Sequence, residues 1–312
     1  MKTAFLFPGQ GSQKVGMVRD LYDAYDSVKA LVREADERLE FPISKLMFEG
    51  PDEELMKTEF TQPAILTASA AVWQVLKEHG VEPDIAAGHS LGEYAALVAA
   101  GAMAFGDAVY TVRLRGRFMQ EAVPLGEGGM AAIIGLDPQK IVAVLETVST
   151  EEAPVQAVNF NCPGQTVIAG TSGAVAKACD ALKEVGAKRA IPLKVSAPFH
   201  SILMEPAADR LKEVLDTIDI RDTVLPVVAN VNAKEETKAE DIRAHLVAQA
   251  AHPVHWEESI RCMIEGGVDL MIEAGPGTVL SGFMRKIDRS IRCCHAEDRA
   301  TVEETVKVFK GE

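Results

Sequence analysis

The stretch Ile85-Ala86-Ala87-Gly88-His89-Ser90-Leu91-Gly92-Glu93-Tyr94-Ala95-Ala96-Leu97-Val98-Ala99-Ala100-Gly101 decides the fold. The apolar run Ile85–Gly88 reads as a buried strand, and Leu91–Gly101 as the helix that follows it. Between them, Gly88-His89-Ser90-Leu91-Gly92 matches G-x-S-x-G, a pattern whose chemistry requires a strand–turn–helix setting. A sharp turn here pushes the serine side chain out of the sheet, and the glycines leave room for the turn and the packing around it. The N–H of Leu91 falls at a helix N-terminus, where the helix dipole and an unpaired donor stabilise an oxyanion. Ser90 is therefore the candidate nucleophile. His89 is not the candidate base, because neighbours on a tight turn point apart.

Outward from this motif the chain alternates strands and helices. Thr3–Phe7 is a short apolar run closed by Pro8-Gly9, which suits a buried strand. Ala64–Lys77 reads as a helix, as does Asp107–Ala122 with Asp107 as its N-cap. Val268–Glu273 reads as a strand closed by Gly275-Pro276-Gly277, and Thr278–Ile287 as the next helix. Such alternation predicts an α/β fold: a large α/β-hydrolase-like domain whose mostly parallel sheet is covered on both faces.

The middle of the chain has another rhythm. Met130–Gly135, Val155–Phe160, Thr166–Gly170 and Lys188–Leu193 read as strands, with helices over Pro138–Val148 and Ser172–Val185. Asn161-Cys162-Pro163-Gly164 is the turn between the second and third strands. The order β-α-β-β-α-β is that of a ferredoxin-like unit. Residues 127–195 are thus expected to form a small domain inserted into a large one made of 1–126 and 196–312. The cleft between the two is the expected ligand site.

A net charge of −14 excludes a global nucleic-acid binder, which needs a basic excess. The five cysteines form neither a CxxC pair nor a zinc-ligand set, and read as reduced thiols of a cytosolic protein. Ala4–Phe7 is too short for a signal-peptide core, and the longest apolar stretch, Tyr94 to Phe105, falls short of a membrane span. A cytoplasmic protein without membrane contact is expected.

Spacing alone does not select a base among the seven histidines. His79 and His245 sit in charged helical contexts. His200 ends Ser196-Ala197-Pro198-Phe199-His200, a loop leaving the inserted domain, which makes it a catalytic candidate. The 107–122 helix carries Arg113, Arg115 and Arg117; the first and last share a face, and Arg115 points elsewhere. On these residues alone, a serine hydrolase with water as acceptor and a non-catalytic scaffold both stay open.

Seven markers in order narrow the choice. They are Phe7-Pro8-Gly9-Gln10-Gly11-Ser12-Gln13, Thr61-Gln62-Pro63-Ala64, Gly88–Glu93 with Tyr94, Arg115-Gly116-Arg117-Phe118-Met119, Asn159-Phe160-Asn161, Pro198-Phe199-His200 and Gly275-Pro276-Gly277. Over nearly its whole length the chain resembles the malonyl-CoA:acyl carrier protein transacylases of bacterial fatty acid synthesis and the related acyltransferase domains of polyketide synthases. The resemblance implies that Ser90 is acylated and that His200 is the general base. It implies that a main-chain or amide carbonyl holds the histidine, Gln249 being the amide candidate. The N–H groups of Gln10 and Leu91 would form the oxyanion hole, and Arg115 would bind the free carboxylate of a malonyl group. Arginine suits that task because its planar fork binds a carboxylate through two parallel hydrogen bonds. Phe199 would fill the space that a methyl branch on the acyl group needs.

The implied reaction is ping-pong, with malonyl-CoA as donor, an acyl carrier protein as partner and no metal or resident cofactor. Carrier proteins are acidic and so is this chain, so docking requires a local basic patch. Lys188 and Arg189 are candidates for it, as is the cluster Arg285, Lys286, Arg289 and Arg292. A free-standing acyltransferase serving a polyketide pathway is an alternative that the resemblance leaves open.

Overall fold

The structure is a computed structural model that describes residues 1–195 and 197–312. Ser196 in the loop before His200, where the second stretch of the expected large domain begins, lies outside the described residues. Ten strands build two sheets among the described residues: β1 (Thr3–Phe7), β2 (Ile85–Gly88), β3 (Gly128–Ile134), β4 (Val155–Cys162), β5 (Gln165–Thr171), β6 (Arg189–Pro192), β7 (Val227–Val228), β8 (Glu235–Glu236), β9 (Leu270–Ala274) and β10 (Arg292–Ala296).

The larger sheet has the order β10-β9-β1-β2-β7-β8 and is parallel except for the β7–β8 pair. Every residue of β1, β2 and β9 is buried, as expected of central strands covered on both faces. The smaller sheet, β4-β5-β3-β6, is antiparallel throughout. The molecule is thus a mixed α/β fold with a mostly parallel sheet and a separate antiparallel one.

Alternation along β3 explains how the second sheet serves the first. Ala131 and Ile133 pack into a small apolar core with Ile141, Leu145, Val175 and Leu182 from the two helices on that face. Met130 and Ala132 point the other way and join the main core. One face of the sheet is therefore closed by its own helices, and the other is turned toward the larger unit. The backbone also links the two units: Val254 N–H donates to Val158 O (2.8 Å) and Phe160 N–H donates to Val254 O (2.9 Å).

Some boundaries differ from expectation. The helix expected from Ala64 runs over Thr58–Glu78 and contains Pro63. Proline removes one helical N–H, yet Phe60, Ile65 and Leu66 are buried on either side and hold the helix through it. The next long helix is Phe105–Glu121, with Ala104 at its N-cap and Asp107 inside its first turn. There Asp107 meets the positive end of the helix dipole and pairs with Arg38 at 3.1 Å. No helix among the described residues is long and apolar enough to cross a membrane.

Candidate active site

The register of the parallel sheet builds the site. Phe7 of β1 lies opposite Gly88 of β2, and His89 N–H donates to Phe7 O at 3.0 Å. The segments leaving these strands, one carrying Gln10 and the other Ser90, therefore emerge side by side at the C-terminal edge of the sheet, where open α/β folds place their ligands. Close approach requires glycine at position 92, because a Cβ there would lie 2.1 Å from Phe7 O. Ser90 takes the left-handed region at φ 53°, a strained conformation for a side chain with a Cβ. Asn230 braces the bend: its Oδ1 accepts from Ser90 N–H (2.7 Å) and its Nδ2 donates to Gly88 O (2.7 Å).

His200 comes to this serine from the segment between β6 and β7. Its Nε2 lies 2.8 Å from Ser90 Oγ, and its Nδ1 lies 2.7 Å from the main-chain oxygen of Gln249. A carbonyl only accepts, so Nδ1 carries the proton and Nε2 is left free to accept the serine hydroxyl. Burial, reinforced by the neighbouring Arg115 charge, pushes the His200 pKa down to about 3. The imidazole is therefore neutral at physiological pH.

Gln249 holds the histidine by its main chain, not by its side-chain amide as the amide candidacy had it. Its side chain has other partners: Oε1 accepts from Arg115 Nη2 (2.9 Å), and Nε2 donates to Ser90 O (2.9 Å). Arg115 is 2% exposed. Its Nη1 donates to Gln62 Oε1 at 2.7 Å and its Nη2 to Ser90 Oγ at 3.1 Å. Gly116 makes this reach possible, since a Cβ there would sit 2.5 Å from Thr58 O and push the two long helices apart. Among the described residues no carboxylate pairs with Arg115. Burial disfavours its charge, and the side-chain groups it donates to are neutral.

The other two arginines of that helix serve elsewhere. Arg113 donates to Leu39 O and Arg117 pairs with Glu121.

Gln10, Gln62, Ser90, Leu91, Arg115, Phe199 and His200 line one cavity of about 120 Å³, together with Met130 of β3 and Asn159 of β4. The main-chain N–H groups of Gln10 and Leu91 meet no acceptor among the described residues. His89 turns away from Ser90 and meets Asn161 Oδ1 at 2.8 Å, bridging the two units. Lys188 and Arg189 lie outside the cavity, exposed where β6 begins.

Sequence reasoning gave no role to Asn230, Gln62 or Glu93. Gln62 and Glu93 stand inside quoted markers, so a search for amides and acids there would have found them. Asn230 follows a two-residue strand and carries no such signal.

A serine on a strand-to-helix bend, a neutral imidazole accepting its proton and two idle peptide donors define an enzyme that moves acyl groups through a serine ester. The comparisons agree. Residues 4–308 match the model of the acyl transferase domain. A malonyl CoA-acyl carrier protein transacylase of Bacillus subtilis (strain 168) is 54% identical over 311 residues, covering 100% of this chain and 98% of that protein. A solved acyl-carrier-protein S-malonyltransferase from Burkholderia pseudomallei superposes with a TM-score of 0.95 at 47% identity, covering 98% of this chain and 100% of that one. A malonyl-transacylase in complex with its type II PKS acyl-carrier protein superposes with a TM-score of 0.96 at 46% identity, covering 99% and 100%. The chain belongs to the acyl transferase family, among the malonyl CoA-acyl carrier protein transacylases.

Proposed function

We propose that this protein transfers the malonyl group of malonyl-CoA to the phosphopantetheine thiol of an acyl carrier protein, supplying fatty acid synthesis. The observation that carries the reading is the buried Arg115 guanidinium, 3.1 Å from Ser90 Oγ and without a carboxylate partner among the described residues. A neutral acyl group needs no such cation. A malonyl group brings its own carboxylate, which in a buried site requires one.

Ser90 gives its proton to His200 Nε2 and attacks the thioester carbonyl. The N–H groups of Gln10 and Leu91 receive the oxyanion. The C–S bond breaks, His200 returns the proton to the departing thiolate, and coenzyme A leaves. The carrier's thiol then gives its proton to His200 and attacks the malonyl ester, and Ser90 recovers the proton. A carbonyl rather than a carboxylate behind His200 suits thioester chemistry, because a thiolate leaves easily and little imidazolium stabilisation is needed. No step calls for a metal or a resident cofactor.

The finer architecture is part of the same reading. Residues 1–126 and 196–312 are the large, α/β-hydrolase-like domain, and 127–195 the ferredoxin-like insert. The strand order β6-β3-β5-β4 and two helices on one face support the latter. Lys188 and Arg189, exposed and without an ion pair among the described residues, are proposed to meet the acidic carrier. The five free cysteines suit a reducing cytoplasm.

The experiment is mass spectrometry of the protein mixed with malonyl-, methylmalonyl- and acetyl-CoA. The reading expects malonylation on Ser90 above the other two. Equal labelling by acetyl-CoA contradicts the role given to Arg115.

A further inference from the structure

Behind the site lies a carboxyl that the proposed mechanism does not use. Glu93 is fully buried. Its Oε2 accepts from Asn230 N–H at 2.8 Å and from Gln249 Nε2 at 3.2 Å, and its Oε1 meets no partner among the described residues. These two partners hold the rest of the site. Asn230 fixes the bend at Ser90, while Gln249 holds His200 with its main chain and Arg115 with its side chain. One amide therefore separates the Glu93 carboxyl from the Arg115 guanidinium, and among the described residues no cation pairs with Glu93 directly.

We infer that Glu93 is a positioning residue that sets both the Ser90–His200 geometry and, through the Gln249 amide, the charge that Arg115 presents to an acyl carboxylate. The inference rests on the reading of Ser90, His200 and Arg115 above. As a neutral acid, Glu93 orients Gln249 and leaves the guanidinium charge to the substrate. As an anion it competes with the substrate for that charge.

The groups that face Glu93 are Glu236 and His245 from outside the site, Arg115 across the Gln249 amide, and Tyr94 on its own helix. Burial first, and then repulsion from Glu236, whose own carboxyl burial also raises to about 8, push the Glu93 pKa up to about 8. The acid is mostly neutral at pH 7 and ionises above pH 8. The sign follows: malonyl binding weakens as pH rises through that value, and binding of an acyl group without a carboxylate does not.

The test uses the full chain as wild type, Glu93→Gln and Glu93→Ala, and follows acylation by malonyl-CoA and acetyl-CoA between about pH 6.5 and about pH 9.5. In the wild type, KM for malonyl-CoA is expected to rise about tenfold across this range, with KM for acetyl-CoA flat. Glu93→Gln should remove the rise. Glu93→Ala removes the acceptor of the Asn230 N–H and one of the two acceptors of Gln249 Nε2, and should slow acylation by both donors about tenfold or more. Glu93→Gln should recover most of that rate. An alkaline rise unchanged in Glu93→Gln, or a full acylation rate in Glu93→Ala, overturns the inference. If Glu93→Ala fails to fold, the pH profile of Glu93→Gln decides alone. Ser90→Ala runs alongside: its acylation would overturn the functional reading itself, a result distinct from either outcome at Glu93.

Discussion

Arg115 Nη2 donates to the hydroxyl oxygen of Ser90 at 3.1 Å, so the cation that would select the substrate touches the atom that would attack it. The guanidinium also leans on two glutamine amides, Gln62 and Gln249. It is therefore held in place before any substrate arrives, and rotamer freedom is not lost on binding.

Arg115→Ala should separate the two acyl donors. Loss of a buried guanidinium–carboxylate pair costs about 3–5 kcal/mol, so malonyl-CoA acylation should fall by about 10²–10⁴-fold. Acetyl-CoA acylation should change by less than about tenfold. Rapid-quench acylation rates with both donors check this, and a similar loss for both would contradict the assignment.

The neutral state of His200 makes a prediction about acid. Its folded pKa is near 3 against 6.5 for the free side chain, so the unfolded chain takes up this proton first as pH falls. Stability from neutral His200 is complete above about pH 6.5 and erodes toward pH 3. Between about pH 7.5 and about pH 4.5 the wild type should lose about 3 kcal/mol more than His200→Gln in urea unfolding. Equal losses would place the histidine in a solvated setting. His200→Gln should also slow acylation by about 10²–10⁴-fold.

Phe199 is buried against the cavity. Replacing it with serine opens space beside the acyl group, and methylmalonyl-CoA acylation should rise by about tenfold relative to malonyl-CoA, the worth of one methylene-sized space. Competition between the two thioesters, read by mass spectrometry, measures the ratio. An unchanged ratio would mean that the methyl branch points elsewhere.

Lys188→Glu combined with Arg189→Glu should raise KM for the carrier protein by about tenfold at low salt, and less as salt screens the patch. KM for malonyl-CoA should stay put. If neither constant moves, the carrier docks on another face, with the cluster from Arg285 to Arg292 as the next candidate.

What the sequence disclosed follows from how local its signals are. The bend at Ser90 is written in five consecutive residues, and the strands of the small sheet in their alternation, so both could be read directly. Selecting Arg115 over Arg113 and Arg117 needed the family markers, because helical spacing separates the faces without saying which one turns inward. The main-chain role of Gln249 could not be read, since any residue offers the same carbonyl. Asn230 is invisible for a related reason: β7 and β8 have two residues each, too short for a periodic pattern, and only the pairing of β7 with β2 brings Asn230 under the nucleophile. The edge strand β10, with its Arg292-Cys293-Cys294-His295 run, lacks the continuous apolar character of β1 and β9.

The most direct test of the central claim is peptide mapping of the protein after brief exposure to malonyl-CoA without carrier. The account predicts a single malonyl ester on the peptide containing Ser90, absent in Ser90→Ala and discharged when holo-carrier is added. A malonyl adduct that persists in Ser90→Ala, or that the carrier cannot remove, would contradict it.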